Sequence, residues 1–319
     1  MNKSIYNRFI RFNENISRVR YEIGILDDFS VDEIVNSHDD FNSDLNQSIK
    51  NEIGSSIKVK WLRHPYRDRW FADPFILDVT ADKIYLLVEE YFYQSNKGRI
   101  AKLEIDRETC KLLQIEVVLE LETHLSFPII RRIGEDVFIY PENSQAGKLV
   151  IYRLSKDFSY CNESKVLIDE PLTDAVIFQD LIFSTVQPTP NGCYLSIYKY
   201  NKELGQYQIS QKIEFGEKIA RNAGGYFIYE GRMFRPAQEC NNSYGHCVVI
   251  QELIHSENLW GMNEVCRLYS PHPLMKDGMH TFNTYKDVGV IDVNGPRHPV
   301  MKRLVDMMYR FYSHIQHKS

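Results

Sequence analysis

Asp73, Asp174 and Glu142 are the residues of this 319-residue chain best suited to acid–base chemistry, because each stands at the edge of an apolar strand-like segment. Equivalent edges of neighbouring segments carry Glu89 and Glu90, His124 with Ser126, and Arg221 with Asn222. Arg235 with Gln238, and His280 with Thr281 and Asn283, complete the set. Carboxylates, two arginines and two histidines that converge on one pocket suit a sugar or sugar phosphate better than an apolar ligand.

Each residue also has a plainer role open to it. Asp73 precedes Pro74, and Asp-Pro is a common turn pair. Asp174 follows Thr173, where a cap or turn is equally natural, and Glu142 follows Pro141 at what reads as a hairpin end. Glu89 and Glu90 are strand neighbours and must face opposite ways, so one of them looks inward, and Glu90 is the expected one. Arg235 beside Pro236 on an inner strand needs an anionic partner, either a ring carboxylate or a ligand phosphate. His280 reads as a core histidine, a donor to substrate, or a ligand to a divalent cation, the one metal position left open. There is no HExxH, no phosphate-cradling glycine loop, no dinucleotide fingerprint and no convincing DxD pair; Asp39 and Asp40 lie in a polar loop.

Residues so far apart meet only if a repeating architecture brings them together. A small, polar or proline-bearing opener followed by an apolar strand recurs at FADPFIL, SFPIIRR, TDAVIFQ, NAGGYFIY and MHTFNTY. From Asp73 through Pro128, Asp174 and Gly225 to His280 the steps are 55, 46, 51 and 55 residues. Turn–strand pairs follow each opener, and a third strand follows the first four. This is the rhythm of an all-β, five-bladed β-propeller, whose first strands line an axis and start at one mouth. A β-sandwich with irregular hairpins does not account for the returning opener. Residues 1–58 form an N-terminal extension, with a short helix expected over 4–18 and a strand at YEIGIL, 21–26, able to close the ring. The propeller is expected over 59–298.

The tail, 299–319, reads as an amphipathic helix. Val300, Met301, Leu304, Val305, Met308, Phe311, Tyr312 and Ile315 give an apolar face, and Lys302, Arg303, Arg310 and Lys318 are cationic. It either packs on the propeller wall or touches an anionic membrane or a partner.

Composition narrows the class. With 43% hydrophobic and 25% charged residues the chain is globular, and 20 tyrosines and 17 phenylalanines favour strands. A net charge of -5 argues against nucleic acid as a partner. The six cysteines form no CxxC pair and read as reduced, buried thiols. The N-terminus lacks the apolar stretch of a signal peptide, and no run is long enough to span a membrane, which makes the cytoplasm the default compartment.

At FADPF, VEEY, HLSFP, YPEN, TDAVIF, RPAQ with YGHCVVIQEL, and MHTFN, the chain resembles the N-terminal propeller domain of plant glucosamine inositolphosphorylceramide transferases. The same domain occurs in bacterial surface-polysaccharide gene clusters. The resemblance runs from about residue 20 to about residue 297. It implies carbohydrate chemistry: a nucleotide sugar or other sugar donor and a glycan or lipid-linked acceptor; peripheral contact with the inner membrane face is the expectation carried by the C-terminal helix. More distantly the layout is similar to family 43 glycoside hydrolases, which carry a base aspartate in the first blade, a second aspartate in the third and an acid glutamate in the fourth. Asp73 and Asp174 match the first two, whereas ARNAGGYF has no glutamate in the fourth. An activated donor dispenses with that acid. The resemblance therefore implies a glycosyltransferase in which Asp73 is the base, Asp174 and Glu142 orient sugar hydroxyls, and Arg221, Arg235 and Gln238 hold the donor's anionic part. A hydrolase using Glu142 as displaced acid, and a glycan-binding propeller without catalysis, are the alternatives.

Overall fold

The computed structural model describes residues 16–35, 58–257 and 259–316, with side chains as far as residue 308. The helix expected from residue 4, and the loop with Asp39 and Asp40, lie outside them. Five four-stranded antiparallel sheets make the five blades. Blade one is β3 (Arg69–Val79), β4 (Lys83–Phe92), β5 (Lys97–Asp106) and β6 (Leu112–Leu119). Blade two is β7 (Ser126–Ile133), β8 (Asp136–Glu142), β9 (Leu149–Leu154) and β10 (Cys161–Ile168). Blade three is β11 (Leu172–Phe178), β12 (Leu181–Val186), β13 (Tyr194–Asn201) and β14 (Gln206–Glu214). Blade four is β15 (Phe227–Tyr229), β16 (Arg232–Glu239), β17 (Cys247–Ser256) and β18 (Leu259–Leu268).

The fifth blade joins the two ends of the chain. Its inner strands β19 (Gly278–Tyr285) and β20 (Val288–Pro296) are followed outward by β1 (Val19–Asp27) and β2 (Val59–Trp61). β1 pairs with β20 along its whole length, from Val19 opposite Pro296 to Asp27 opposite Val288. The propeller thus begins at Val19, and a boundary at residue 59 falls inside its last blade. Pairing the N-terminal strand beside a C-terminal one removes the open edge that would otherwise expose unpaired backbone.

The core lies between blades rather than within them. Ile23 and Ile25 of blade five pack against Phe71, Ile84 and Leu86 of blade one, and Leu87 and Ile100 of blade one against Ile139 of blade two. Phe127 and Tyr140 meet Val176 and Ile182 of blade three, whose Phe183 and Ile197 meet Leu253 of blade four. Phe234 and Val248 then return to Ile291 and Val293 of blade five. Both faces of the middle strands are therefore buried, so β4 and β17 read as near-continuous apolar runs, while outer strands such as β14 alternate with solvent.

The inner strands share a device. Ladder register slips at Asp73–Pro74 in β3, Phe127–Pro128 in β7, Asp174–Ala175 in β11 and His280 in β19. At three of these bulges a non-glycine residue has left-handed backbone: Asp73 at φ 49, Phe127 at φ 46 and Asp174 at φ 48. Aspartate tolerates this conformation; phenylalanine does so at a cost. A bulge bends its strand and re-aims the residue it carries. In blade four, Gly224 replaces it, because a Cβ there would lie 2.0 Å from the Phe282 carbonyl oxygen. That close approach lets Phe282 N–H donate to the Ala223 carbonyl at 2.8 Å and Gly225 N–H to Asn283 Oδ1 at 2.7 Å.

All six cysteines are unpaired, and four of them are buried. A single longer helix, α2 (Pro299–Gln316), follows the propeller, after the one-turn α1 (Asp32–Val35). No described helix is long and apolar enough to cross a membrane.

Candidate active site

One mouth of the propeller holds a cavity of about 450 Å³ to which all five blades contribute. Its floor is a chain of three buried side chains. β19 supplies His280, the facing strand β20 supplies Asp292, and the bulge in β3 supplies Asp73. His280 Nδ1 lies 2.7 Å from Asp292 Oδ1, and His280 Nε2 lies 3.3 Å from Asp73 Oδ1. Asp292 accepts further hydrogen bonds from Thr281 N–H at 2.9 Å and Asp73 N–H at 2.8 Å. Asp73 Oδ2 accepts Phe127 N–H at 2.9 Å, which ties blade one to blade two through the catalytic candidate itself.

These neighbours set the protonation of the floor. Burial, and after it the negative charge of Asp292 and Asp174, raises the Asp73 carboxyl to about 7 in spite of the opposing pull of His280. Burial alone would depress His280, but Asp292 and Asp73 outweigh it and lift the imidazole to about 8. The donor atoms of Asp73, His280 and Asp292 lie within 4.8 Å of one another, near enough to share a divalent cation. Of the two ring nitrogens, Nδ1 is hydrogen-bonded to Asp292, while Nε2 faces Asp73 as an ion-pair contact.

The walls add two more carboxyls and an aromatic shelf. Glu89 lines the cavity from β4; burial, then repulsion from Asp73 and Glu142, pushes its pKa well above the usual carboxylate range. Its Oε1 accepts no hydrogen bond, although His124 Nε2 lies 3.4 Å away. Because His124 Nδ1 accepts Gly98 N–H at 2.9 Å, the neutral ring carries its proton on Nε2, on the Glu89 side. Glu142 is raised by burial and then by Asp174, while its Oε1 accepts Ser144 N–H at 3.0 Å. Trp70 and Tyr91 stack at 4.4 Å and 8°, and Tyr21 leans on Trp70 at 4.7 Å, an apolar surface of the kind that packs on the face of a sugar ring. Arg221 is the one arginine or lysine among the described lining residues.

Of the residues read from the sequence, Asp73, Glu142, His124, Ser126, Arg221 and His280 line this cavity together. Asp174 stands behind it. Its Oδ2 accepts Arg221 Nε at 2.6 Å and Gln238 Nε2 at 3.2 Å, so it positions Arg221 rather than meeting a ligand. Gln238 Nε2 donates to that carboxylate and to the Asn222 carbonyl at 3.1 Å, while its buried Oε1 accepts no hydrogen bond. Asn283 spans three blades, donating to the Pro74 carbonyl at 2.9 Å and accepting Gly225 N–H.

Two expectations are corrected. Glu90 faces away from the axis, clamped by Arg69 at 2.6 Å and Arg99 at 2.8 Å; the alternation of β4 puts Glu89 inward instead. Arg235 is wholly buried and has no anionic partner: Asn222 Oδ1 at 2.8 Å, Gln251 Oε1 and the carbonyls of Ile219 and Ala220 accept its donors. Four neutral oxygen acceptors thus hold this cation inside blade four. Asp292, Tyr21 and Trp70 were not anticipated. Asp292 had a visible signal, a lone acid inside the apolar run VGVIDV.

The sequence family described as glucosamine inositolphosphorylceramide transferase 1, N-terminal, matches residues 39–265. The chain belongs to this family. Curated relatives include glucosamine inositolphosphorylceramide transferase 1 of Oryza sativa subsp. japonica, 28% identical over 199 residues, covering 59% of this chain and 27% of that protein. The Arabidopsis thaliana protein of the same name is 25% identical over 195 residues, covering 58% and 25%. The match spans about a quarter of the length of these relatives. Similar solved structures include an exo-beta-1,3-galactanase from Phanerochaete chrysosporium, at TM-score 0.45 and 7% identity over 61% of this chain and 49% of that one. The GH43_1 enzyme from Xanthomonas citri gives TM-score 0.45 and 9% identity over 72% and 88%.

Proposed function

We propose that this member of the glucosamine inositolphosphorylceramide transferase N-terminal family transfers a glycosyl unit from an activated donor to a hydroxyl acceptor, in the assembly of a glycolipid or surface polysaccharide. The observation that carries the reading is Asp73: a buried carboxyl on the floor of the mouth cavity, poised to exchange a proton near pH 7. Its carboxylate takes the acceptor proton as the acceptor oxygen bonds to the anomeric carbon. The bond to the donor's phosphate breaks, and the phosphate leaves with the electron pair beside Arg221. The donor is a nucleotide sugar or another sugar phosphate, and the acceptor is a glycan or is lipid-linked; the relatives' shared name, with its ceramide lipid, supports the lipid-linked choice.

A second reading, hydrolysis, is favoured by Glu89. Burial and the negative charges of Asp73 and Glu142 favour its protonated form, which would supply the carboxylic acid that blade four lacks. One experiment separates the two. Labelled sugar donors are incubated with acceptor across a pH series, and both glycoside and free sugar are quantified. Transfer predicts a glycoside product, a rate that rises with pH through about 7 as Asp73 ionises, and a loss of roughly 10²–10⁴-fold in Asp73→Asn. Glu89→Gln then leaves transfer largely intact. Free sugar as the product, abolished by Glu89→Gln, would establish hydrolysis, and an unchanged rate in Asp73→Asn would remove Asp73 from either mechanism.

A further inference from the structure

The helix α2 leaves the propeller at the rim of the mouth. Val19, which lines the cavity, pairs with Pro296, and the next two residues hold the helix start in place: Arg297 N–H donates to the Arg18 carbonyl at 2.7 Å and His298 N–H to that of Ile16 at 3.2 Å. Among its described side chains, 300–308, the apolar face is not packed on the wall as that of an amphipathic cap would be. Val305 is buried at 7% exposure, but Val300, Met301, Leu304, Met307 and Met308 are 44–69% exposed. At 100° per residue these five share an arc of about 120°, and Lys302, Arg303 and Asp306 fill the opposite side.

Positive charge gathers at the same corner of a chain whose net charge is -5. Arg303 is exposed on the helix, and Arg18 and Arg67 are exposed on the adjoining rim. Arg297 bridges them, donating to the Arg67 carbonyl at 2.7 Å with its guanidinium 4.4 Å over the Tyr93 ring. Lys302 is partly offset by Asp306. Flexible, unbranched methionines beside a tyrosine and a band of arginines match the two layers of a bilayer surface, acyl chains below and anionic headgroups above. The helix is also not apolar enough to span.

We propose that α2 and the arginine rim beside it dock this domain on an anionic lipid surface, setting the mouth cavity next to the bilayer. That the acceptor is presented on lipid at that surface rests on the glycosyl-transfer reading; the docking does not. The test is cosedimentation of the full chain with phosphatidylcholine vesicles, with and without phosphatidylserine, at low and high salt. Binding to the phosphatidylserine vesicles is expected, about tenfold or more weaker on phosphatidylcholine alone and at high salt. The triple substitution Val300→Ser, Leu304→Ser, Met308→Ser is expected to abolish it with the melting temperature unchanged, and Arg18→Glu with Arg67→Glu to weaken it severalfold. Asp73→Asn should bind vesicles like the parent, so loss of turnover and loss of docking are read separately. The proposal is overturned if the parent ignores both vesicle types, or if the triple variant binds as the parent does. It is equally overturned if ultracentrifugation finds a dimer that the triple substitution dissolves while vesicles go unbound, since a second copy would then cover the stripe.

Discussion

A carboxyl group serves as a base near neutrality only where its surroundings hold the proton on until then. Asp73 meets that condition through burial, while His280 and Phe127 N–H keep one defined orientation for the charge once it forms. Arg235 is the opposite case. It is the most deeply buried cation of blade four, yet the cavity does not contain it, and its donors are used up by neutral acceptors of its own blade. Arg235→Ala should therefore act on stability. It strands Asn222 and Gln251 and leaves a void, with an expected cost of about 3–5 kcal/mol in chemical denaturation. Ligand affinity per folded molecule should be preserved. Normal stability with lost donor binding would return Arg235 to the site. Glu89 and Glu90 mark how far single positions were legible: that one of them faces inward followed from strand alternation, but which one depended on the register of β4 against β3, where Glu89 lies opposite Ala72 beside the bulge.

At the scale of elements, the bulges explain why the openers recur in the sequence. Asp73-Pro74, Phe127-Pro128 and Asp174-Ala175 stand where each inner strand must turn a residue toward the axis, and small, polar or proline residues are the ones that accommodate the break. β1 carries a different burden. It closes the ring and also delivers Val19 and Tyr21 to the cavity, so closure and site are built by one strand. Gly24 lies at its centre, and a Cβ there would come within 2.7 Å of Val59 Cγ1 and 2.8 Å of Ile291 Cγ1, side chains on both flanking strands. Gly24→Val should overpack this seam, lower stability by about 1–3 kcal/mol and weaken ligand binding along with it. Unchanged melting and binding would show that the ring closes without this strand.

For the whole molecule, the cost of the site appears in its pH dependence. Asp73 has a folded pKa near 7 against an ordinary value of 3.8, so between those values the folded protein holds a proton that the unfolded chain has released. Stability from this group therefore falls as pH rises from about 4 to about 7 and then levels off. Glu89 and Glu142, also raised, act in the same direction. His280, raised from 6.5 to about 8, adds stability that is complete below 6.5 and is lost as pH climbs through 8. The melting temperature should thus be highest in mild acid. Asp73→Asn removes one of the ionising groups, so its melting temperature should gain on the parent's as pH rises from 4 to 7 and hold that advantage above. A gap that stays constant with pH would mean that Asp73 titrates normally. Such a trade of stability for a strained, acid-rich site is common at catalytic centres.

The five blades are legible in the chain alone, because apolar alternation and the recurring opener are local patterns that repeat with the fold. Asp73, His124, Ser126, Glu142, Arg221 and His280 were legible as residues at or near strand ends, and these six line the mouth cavity. Only the tertiary structure decided which polar residues face a ligand and which are consumed in holding blades together. Asp174, Gln238, Asn283 and Arg235 have the composition of a site but are engaged by partners 13 to 209 residues away, and no local pattern encodes who will occupy a hydrogen bond across a blade boundary. Asp292 shows the converse: an acid lost in an apolar strand becomes the anchor of the floor because the β19–β20 pair sets it beside His280 and the ring brings it to the backbone of Asp73.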